Sequence, residues 1–163
     1  MYLHFMQREL SFNEEDKEIT AHRFERKGDR EMANCLYSEM LDEYPETDRL
    51  YYRRGINNLK LNKKEAAHRD FSLAIRFCKT NAAYFGSRGK LRVEMNKLEE
   101  AKQDLRFASY LSKGPNSYHR SLGSVYYKLE EYENAIYELN KSREINPKLD
   151  VCGLLTIIYL RLG

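Results

Sequence analysis

Four alanines stand 34 residues apart, at Ala33, Ala67, Ala101 and Ala135. A small residue precedes each by twelve positions, giving a second ladder of Ala21, Gly55, Gly89 and Gly123. A bulky apolar residue follows each by four, at Tyr37, Phe71, Leu105 and Leu139, and three further on come Met40, Ala74, Ala108 and Ser142. No insertion or deletion separates the four copies. Self-similarity at such a period marks a repeat architecture, in which each copy is one supersecondary unit that buries its apolar face against its neighbours.

Within each copy the apolar residues recur at steps of three and four, the spacing of an amphipathic helix. In the fourth copy Leu122, Gly123, Tyr126 and Leu129 share one stripe, and Ala135, Leu139 and Ser142 share the next. The small residues mark where two helices approach so closely that a bulky side chain would hold the backbones apart. Turn and cap residues divide the stripes. Gly28-Asp29 is a turn and cap in the first copy, and Asn62 with Glu65 and Asn96 with Glu99 read as N-caps with reciprocal carboxylates. Ser11 with Glu14 reads as the capping box that opens the first helix, and Pro45 and Pro147 close the first and fourth copies, where proline suits a chain leaving a helix. The expectation is an all-α chain with an N-terminal strap or helix tip over 1–13. Four helical hairpins follow over 14–149 (14–47, 48–81, 82–115 and 116–149), then a truncated fifth repeat or apolar terminal helix over 150–163.

These residues resemble the tetratricopeptide repeat family, a 34-residue helix–turn–helix with leucine-glycine, tyrosine, a small residue, an aromatic and a proline at set positions. The fourth copy matches best, through Leu122-Gly123-x-x-Tyr126, Ala135, Leu139 and Pro147. The resemblance implies a right-handed superhelical solenoid of antiparallel helix pairs, whose first helices line a concave groove that receives a partner. It departs from the pattern at Arg54 and Arg88, where leucine is usual, and at Asn58 and Arg92, where tyrosine is usual. Those helices are expected either to pack loosely or to use their polar residues deliberately, and the replacements point to a basic inner face.

Taken in phase with the family, the groove positions are Arg49, Tyr52, Arg53, Ile56 and Lys60 in the second copy. The third copy supplies Ala83, Ser87, Lys90 and Glu94, and the fourth Ser117, Arg120, Ser121, Ser124, Tyr127 and Lys128. The first copy supplies Glu15, Glu18, His22 and Arg26, a more acidic set. The net charge of +3 hides the same asymmetry: residues 1–47 carry 6 Lys and Arg against 12 Asp and Glu, and residues 48–163 carry 22 against 13. Such asymmetry speaks to partners and not to fold. The expected function is a non-catalytic scaffold or adaptor that holds an acidic peptide or helix in the groove, with encounter sensitive to salt. The plain alternative is that these residues are only a solvated face. A second alternative is a helical-repeat RNA-binding module, with Arg and Lys on phosphates and tyrosine stacking on bases; the acidic first copy weighs against it.

A subset of the family clamps the C-terminal carboxylate of heat-shock chaperones with lysine and asparagine in one repeat, asparagine in the next, and lysine and arginine in the third. The matching positions here are Glu18 and His22, then Arg53, then Ala83 and Ser87, or in the other register Tyr52 and Ile56, then Ser87, then Ser117 and Ser121. Neither register rebuilds the clamp, which argues against a chaperone tail as partner.

Catalytic and metal signatures are missing. His4, His22, His68 and His119 are scattered, none at a metal-ligand spacing, and His119 takes a packing position in the repeat. No phosphate-binding loop or nucleophile elbow occurs, and Glu99-Glu100 and Glu130-Glu131 sit at helix starts, where the helix dipole favours them. The expectation is no enzyme activity, no cofactor and no metal. The 13 tyrosines read mostly as core, by phase. Cys35, Cys78 and Cys152 are odd in number and far apart, which reads as buried small apolar residues in a reducing, cytoplasmic setting. No apolar run approaches the roughly 20 residues of a membrane span. Residues 151–160 carry no charge, although a terminal capping helix needs a polar outer face. The expectation there is a fragment of a longer array, or a homodimer formed through 150–163.

Overall fold

The computed structural model describes residues 14–112, 118–148 and 150–163, with the side chains of Glu14 and Glu15 excepted. Among the described residues there are nine helices and no strand. They run as hairpins: α1 (Glu14–Lys27) with α2 (Arg30–Glu43), α3 (Asp48–Lys60) with α4 (Lys64–Phe77), α5 (Ala82–Glu94) with α6 (Leu98–Leu111), and α7 (His119–Lys128) with α8 (Tyr132–Ile145). Helix α9 (Cys152–Leu162) follows. The chain divides into two compact units, Met1–Phe77 with α1 to α4 and Cys78–Gly163 with α5 to α9. The strap over 1–13 and the Ser11 capping box lie outside the described residues.

The turns inside the hairpins reveal a further ladder at the same period. Gly28, Asn62, Asn96 and Glu130 all adopt positive φ, between 58° and 88°. At Asn62 the geometry is a Schellman end: Asn62 N–H donates to the Leu59 carbonyl at 3.0 Å and Lys63 N–H to the Asn58 carbonyl at 2.8 Å. Asn96 and Glu130 repeat the pattern, with Lys97 N–H on Arg92 and Glu131 N–H on Tyr126. Asn62 and Asn96 therefore end α3 and α5 and do not cap α4 and α6 as expected. Asparagine serves both roles because its short side chain tolerates the left-handed region as well as the N-cap. In the first copy the roles are split as expected, with Gly28 in the left-handed turn and Asp29 accepting from Met32 N–H at 3.1 Å. Glutamate is the one ladder residue unsuited to positive φ. Glu130→Asn is expected to stabilise the chain by about 0.5–1 kcal/mol, seen as a higher denaturant midpoint at unchanged slope.

The small and bulky ladders meet in the core. A Cβ at Gly55 would lie 2.7 Å from Phe71 Cε1, at Gly89 2.8 Å from Leu105 Cγ, and at Gly123 2.6 Å from Leu139 Cγ. Glycine is required there by proximity, since helical glycine is about 1 kcal/mol worse than alanine where nothing crowds it. Unit one closes its core with Ala21, Ala33, Tyr37, Met40, Leu41 and Leu50. Unit two packs Leu105, Leu122, Val125 and Leu139 together with Val151, Leu155 and Ile158, so α9 completes that core.

The polar replacements in copies two and three belong to the interior. Asp70 and Asp104 are each 4% exposed. Arg54 grips Asp70 with two parallel bonds, Nε to Oδ2 at 3.1 Å and Nη2 to Oδ1 at 2.7 Å, and Asn58 Nδ2 donates to the same carboxylate at 2.9 Å. Arg88 grips Asp104 in the same way at 2.9 and 2.8 Å, and Arg92 Nη1 joins at 2.7 Å. Such forked charge-assisted pairs are the strong kind. These arginines face the second helix of their own hairpin, so they do not make an inner face basic, and the helices that carry them are bonded and not loose.

Two other expectations need correcting. Cys35 and Cys152 are exposed and Cys78 is half-buried, because each lies on the solvent side of its segment. Tyr37, Tyr84 and Tyr126 are core residues, but Tyr44, Tyr110, Tyr137 and Tyr159 are exposed, which phase counted by repeat does not separate from burial. His119 is a packed imidazole, as expected, with Nδ1 on Glu138 Oε2 at 2.5 Å. No helix among the described residues is long and apolar enough to cross a membrane.

Candidate functional site: the leading-helix faces

In unit one the leading helices are α1 and α3, and residues three or four apart share a face of each. Arg49 Nη2 lies 2.9 Å from Glu18 Oε2, and Arg53 Nη1 lies 3.7 Å from Glu25 Oε2. The acidic first copy thus meets the cations of the second. Tyr52 rests on Phe71, with ring centroids 5.8 Å apart, and Ile56 is half-buried beside it. Lys60 is exposed in the last turn of α3, where the helix dipole favours a cation. His22 stands edge-on to Tyr37 at 6.5 Å. Burial first, and then the Glu25 carboxylate, push the Tyr37 phenol well above the usual tyrosine range, so it stays protonated.

In unit two the leading helices are α5, α7 and α9. Gly86 leaves bare backbone on α5, and the Tyr118 ring occupies that space: a Cβ at Gly86 would lie 2.0 Å from Tyr118 Cε1. Lys90, one turn further along α5, holds its Nζ 5.8 Å from the centroid of the same ring. Arg120 is exposed, and Ser124 Oγ donates to its carbonyl at 3.1 Å. Tyr127 lies between Tyr132, at 6.2 Å, and the Arg161 guanidinium of α9, at 5.7 Å. Lys128 is exposed in the last turn of α7. Among the described residues no carboxylate pairs with Lys90, Arg120 or Lys128. The predicted residue Ser117, and the side chain of Glu15, lie outside the described residues.

The cations among the ten predicted groove residues therefore fall into two groups of different character. Arg49 and Arg53 are bridged to glutamates, while Lys60, Lys90, Arg120 and Lys128 are not. No group of three or more His, Cys, Asp or Glu that could hold a metal occurs among the described residues.

No protein-family model and no curated protein matches the chain by sequence. Solved structures do match in shape. A MamA double mutant (RS-1 ArsTM) superposes with a TM-score of 0.86 at 16% identity, over 92% of this chain and 85% of that one. A tetratricopeptide repeat protein from Parabacteroides merdae superposes with a TM-score of 0.80 at 20% identity, over 89% of this chain and 58% of that one. The chain has the tetratricopeptide repeat fold. A third neighbour with that fold, the first such domain of Spaghetti (RPAP3) bound to an HSP90 peptide SRMEEVD, matches with a TM-score of 0.66 at 24% identity, over 70% of this chain and 90% of that one. In that fold α1, α3, α5, α7 and α9 are the leading helices of their repeats, and α2, α4, α6 and α8 are the second helices.

Sequence reasoning missed the Arg54–Asp70 and Arg88–Asp104 pairs, although both partners repeat at the 34-residue period. It also missed the capture of Arg49 and Arg53 by α1.

Proposed function

We propose that the chain is a non-catalytic protein-interaction module, and that the leading-helix face of unit two receives an acidic peptide or helix. The observation that carries this reading is the trio Lys90, Arg120 and Lys128, exposed and without a carboxylate partner among the described residues. Exposed cations beside tyrosine and serine form a surface that attracts carboxylates and can hydrogen-bond them once docked. The RPAP3 neighbour supports the ligand class, since its HSP90 peptide has three acidic residues among seven. The chaperone clamp itself is not rebuilt here, where Glu18 and His22, then Arg53, then Ala83 and Ser87 stand at its positions.

Reversing Lys90, Arg120 and Lys128 to glutamate is expected to weaken partner capture at least about tenfold, a loss of about 1.4 kcal/mol. Reversing Arg49 and Arg53 is expected to weaken it less, because Glu18 and Glu25 already hold them. Quantitative pull-down with helicity monitored by circular dichroism makes the comparison. Equal capture by all three proteins would remove the site, and retention of RNA on filters as strong as that of an acidic peptide would favour the nucleic-acid alternative.

The last helix supports a second reading, self-association. Leu155 and Ile158 face the core, while Ile157, Tyr159, Leu160 and Leu162 are exposed, Leu160 at 80%. An apolar face of that kind needs a cover. Sedimentation is expected to show a concentration-dependent dimer that Ile157→Glu with Leu160→Glu abolishes; a monomer at all concentrations removes this reading.

A further inference from the structure

The second helices of successive repeats leave a cleft between them. In unit one it is walled by α2 and α4, and in unit two by α6 and α8; each encloses about 580 Å³. Stacked hairpins produce such a cleft by themselves, so the volume alone points to no ligand. The side chains decide, and they differ. The unit-one cleft mixes Glu31, Glu39 and Asp42 with Lys63 and Arg69. The unit-two cleft carries Arg106 and Lys141 at its mouth, Tyr110 and Tyr137 on its walls, and the His119–Glu138 pair on its floor.

Each of these features favours a ligand of one kind. Tyr110 is 82% exposed and Tyr137 62%, which leaves two aromatic surfaces uncovered beside one cavity. Lys141 holds its Nζ 5.7 Å from the Tyr137 ring centroid, and Phe107 continues the aromatic ridge 6.4 Å from Tyr110. Arg106 is exposed, and the carboxylate it influences, Glu131, is already bonded to Lys102 at 2.8 Å and Asn134 at 2.9 Å. Glu138, the one carboxylate in the lining, is directed to the His119 Nδ1 proton. The mouth is therefore cationic and aromatic, the composition in which interface energy concentrates.

We propose that the α6–α8 cleft is a second binding site, and that its occupant is an acidic peptide segment with one apolar side chain. Carboxylates meet Arg106 and Lys141, and the apolar side chain fills the space between Tyr110 and Tyr137. The site is separate from the leading-helix face and does not depend on the reading given for that face.

The chain contains no tryptophan, so Tyr137→Trp places a single emission reporter in the cleft. The probe is a ten-residue peptide of glutamates with one central leucine, titrated into the full chain at low salt; a lysine analogue serves as control. A saturable emission change is expected with the glutamate peptide alone. Arg106→Gln or Lys141→Gln should weaken it about threefold each, and Arg106→Glu with Lys141→Glu at least tenfold, with helicity unchanged. Lys90→Glu with Arg120→Glu should leave it within twofold. Absence of an emission change, a response equal for the lysine peptide, or a response that survives the cleft reversals would overturn the proposal. So would a response abolished only by the leading-helix reversals, which would assign the peptide to that face. A phosphopeptide that saturates the reporter where the glutamate peptide does not would overturn the carboxylate assignment.

Discussion

Replacing Asp104 with alanine is expected to destabilise the chain by about 3–5 kcal/mol, because it removes the buried carboxylate that Arg88 and Arg92 both grip. The carboxylate accepts three bonds from those guanidiniums. Removing all three charges together should have the opposite outcome. Arg88→Leu, Arg92→Tyr and Asp104→Leu use residue types that other copies carry at the same phase, namely Leu122, Tyr126 and Leu36. Concerted replacement of a buried ion network by apolar residues of similar volume is typically neutral or stabilising by about 1–4 kcal/mol. Chemical denaturation of the single and triple variants, at matched slope, reads both. A single variant as stable as the parent would mean that water reaches the arginines, and that the network is a surface feature.

Phe71→Ala is expected to cost about 3–5 kcal/mol, since the ring is fully buried and its removal leaves a cavity. The informative companion is Gly55→Ala. In the parent chain an added methyl would meet Phe71 Cε1 at 2.7 Å and Asp70 Cβ at 3.2 Å, so overpacking should outweigh the gain in helix propensity. In the Phe71→Ala background the ring contacts are gone and only Asp70 Cβ remains close, so the effect should reverse to a gain of up to about 1 kcal/mol. A double-mutant cycle without that change of sign would contradict the pairing of the small and bulky ladders.

The ladders explain why so much of the fold is legible in the sequence. Gly55, Gly89 and Gly123 face Phe71, Leu105 and Leu139, and Ala21 holds the same phase in the first copy, because close backbone approach admits only a small residue there. The hairpin turns are less legible. Asparagine at 62 and 96 is consistent with starting one helix or ending another, and the deciding sign is that Gly28 occupies the same phase, since glycine ends helices far better than it starts them. The buried pairs are legible only when charges are compared by phase across copies, with Arg54 and Asp70 at the same offset as Arg88 and Asp104. The candidate site is the least legible part. Arg49 meeting Glu18 depends on how one repeat is rotated against the next, and no local spacing encodes that rotation.

That distinction between held and unheld cations is the central claim, and a reporter within the leading-helix face tests it most directly. Tyr127→Trp places the only tryptophan of the chain between Arg120 and Lys128 on α7. Titrated with the glutamate peptide at two salt concentrations, it is expected to give a saturable, salt-weakened response. Lys90→Glu with Arg120→Glu and Lys128→Glu should reduce that response at least tenfold, and Arg49→Glu with Arg53→Glu should leave it within about threefold. A response that ignores the unit-two reversals, or that falls equally with the Arg49 and Arg53 reversals, would contradict the account.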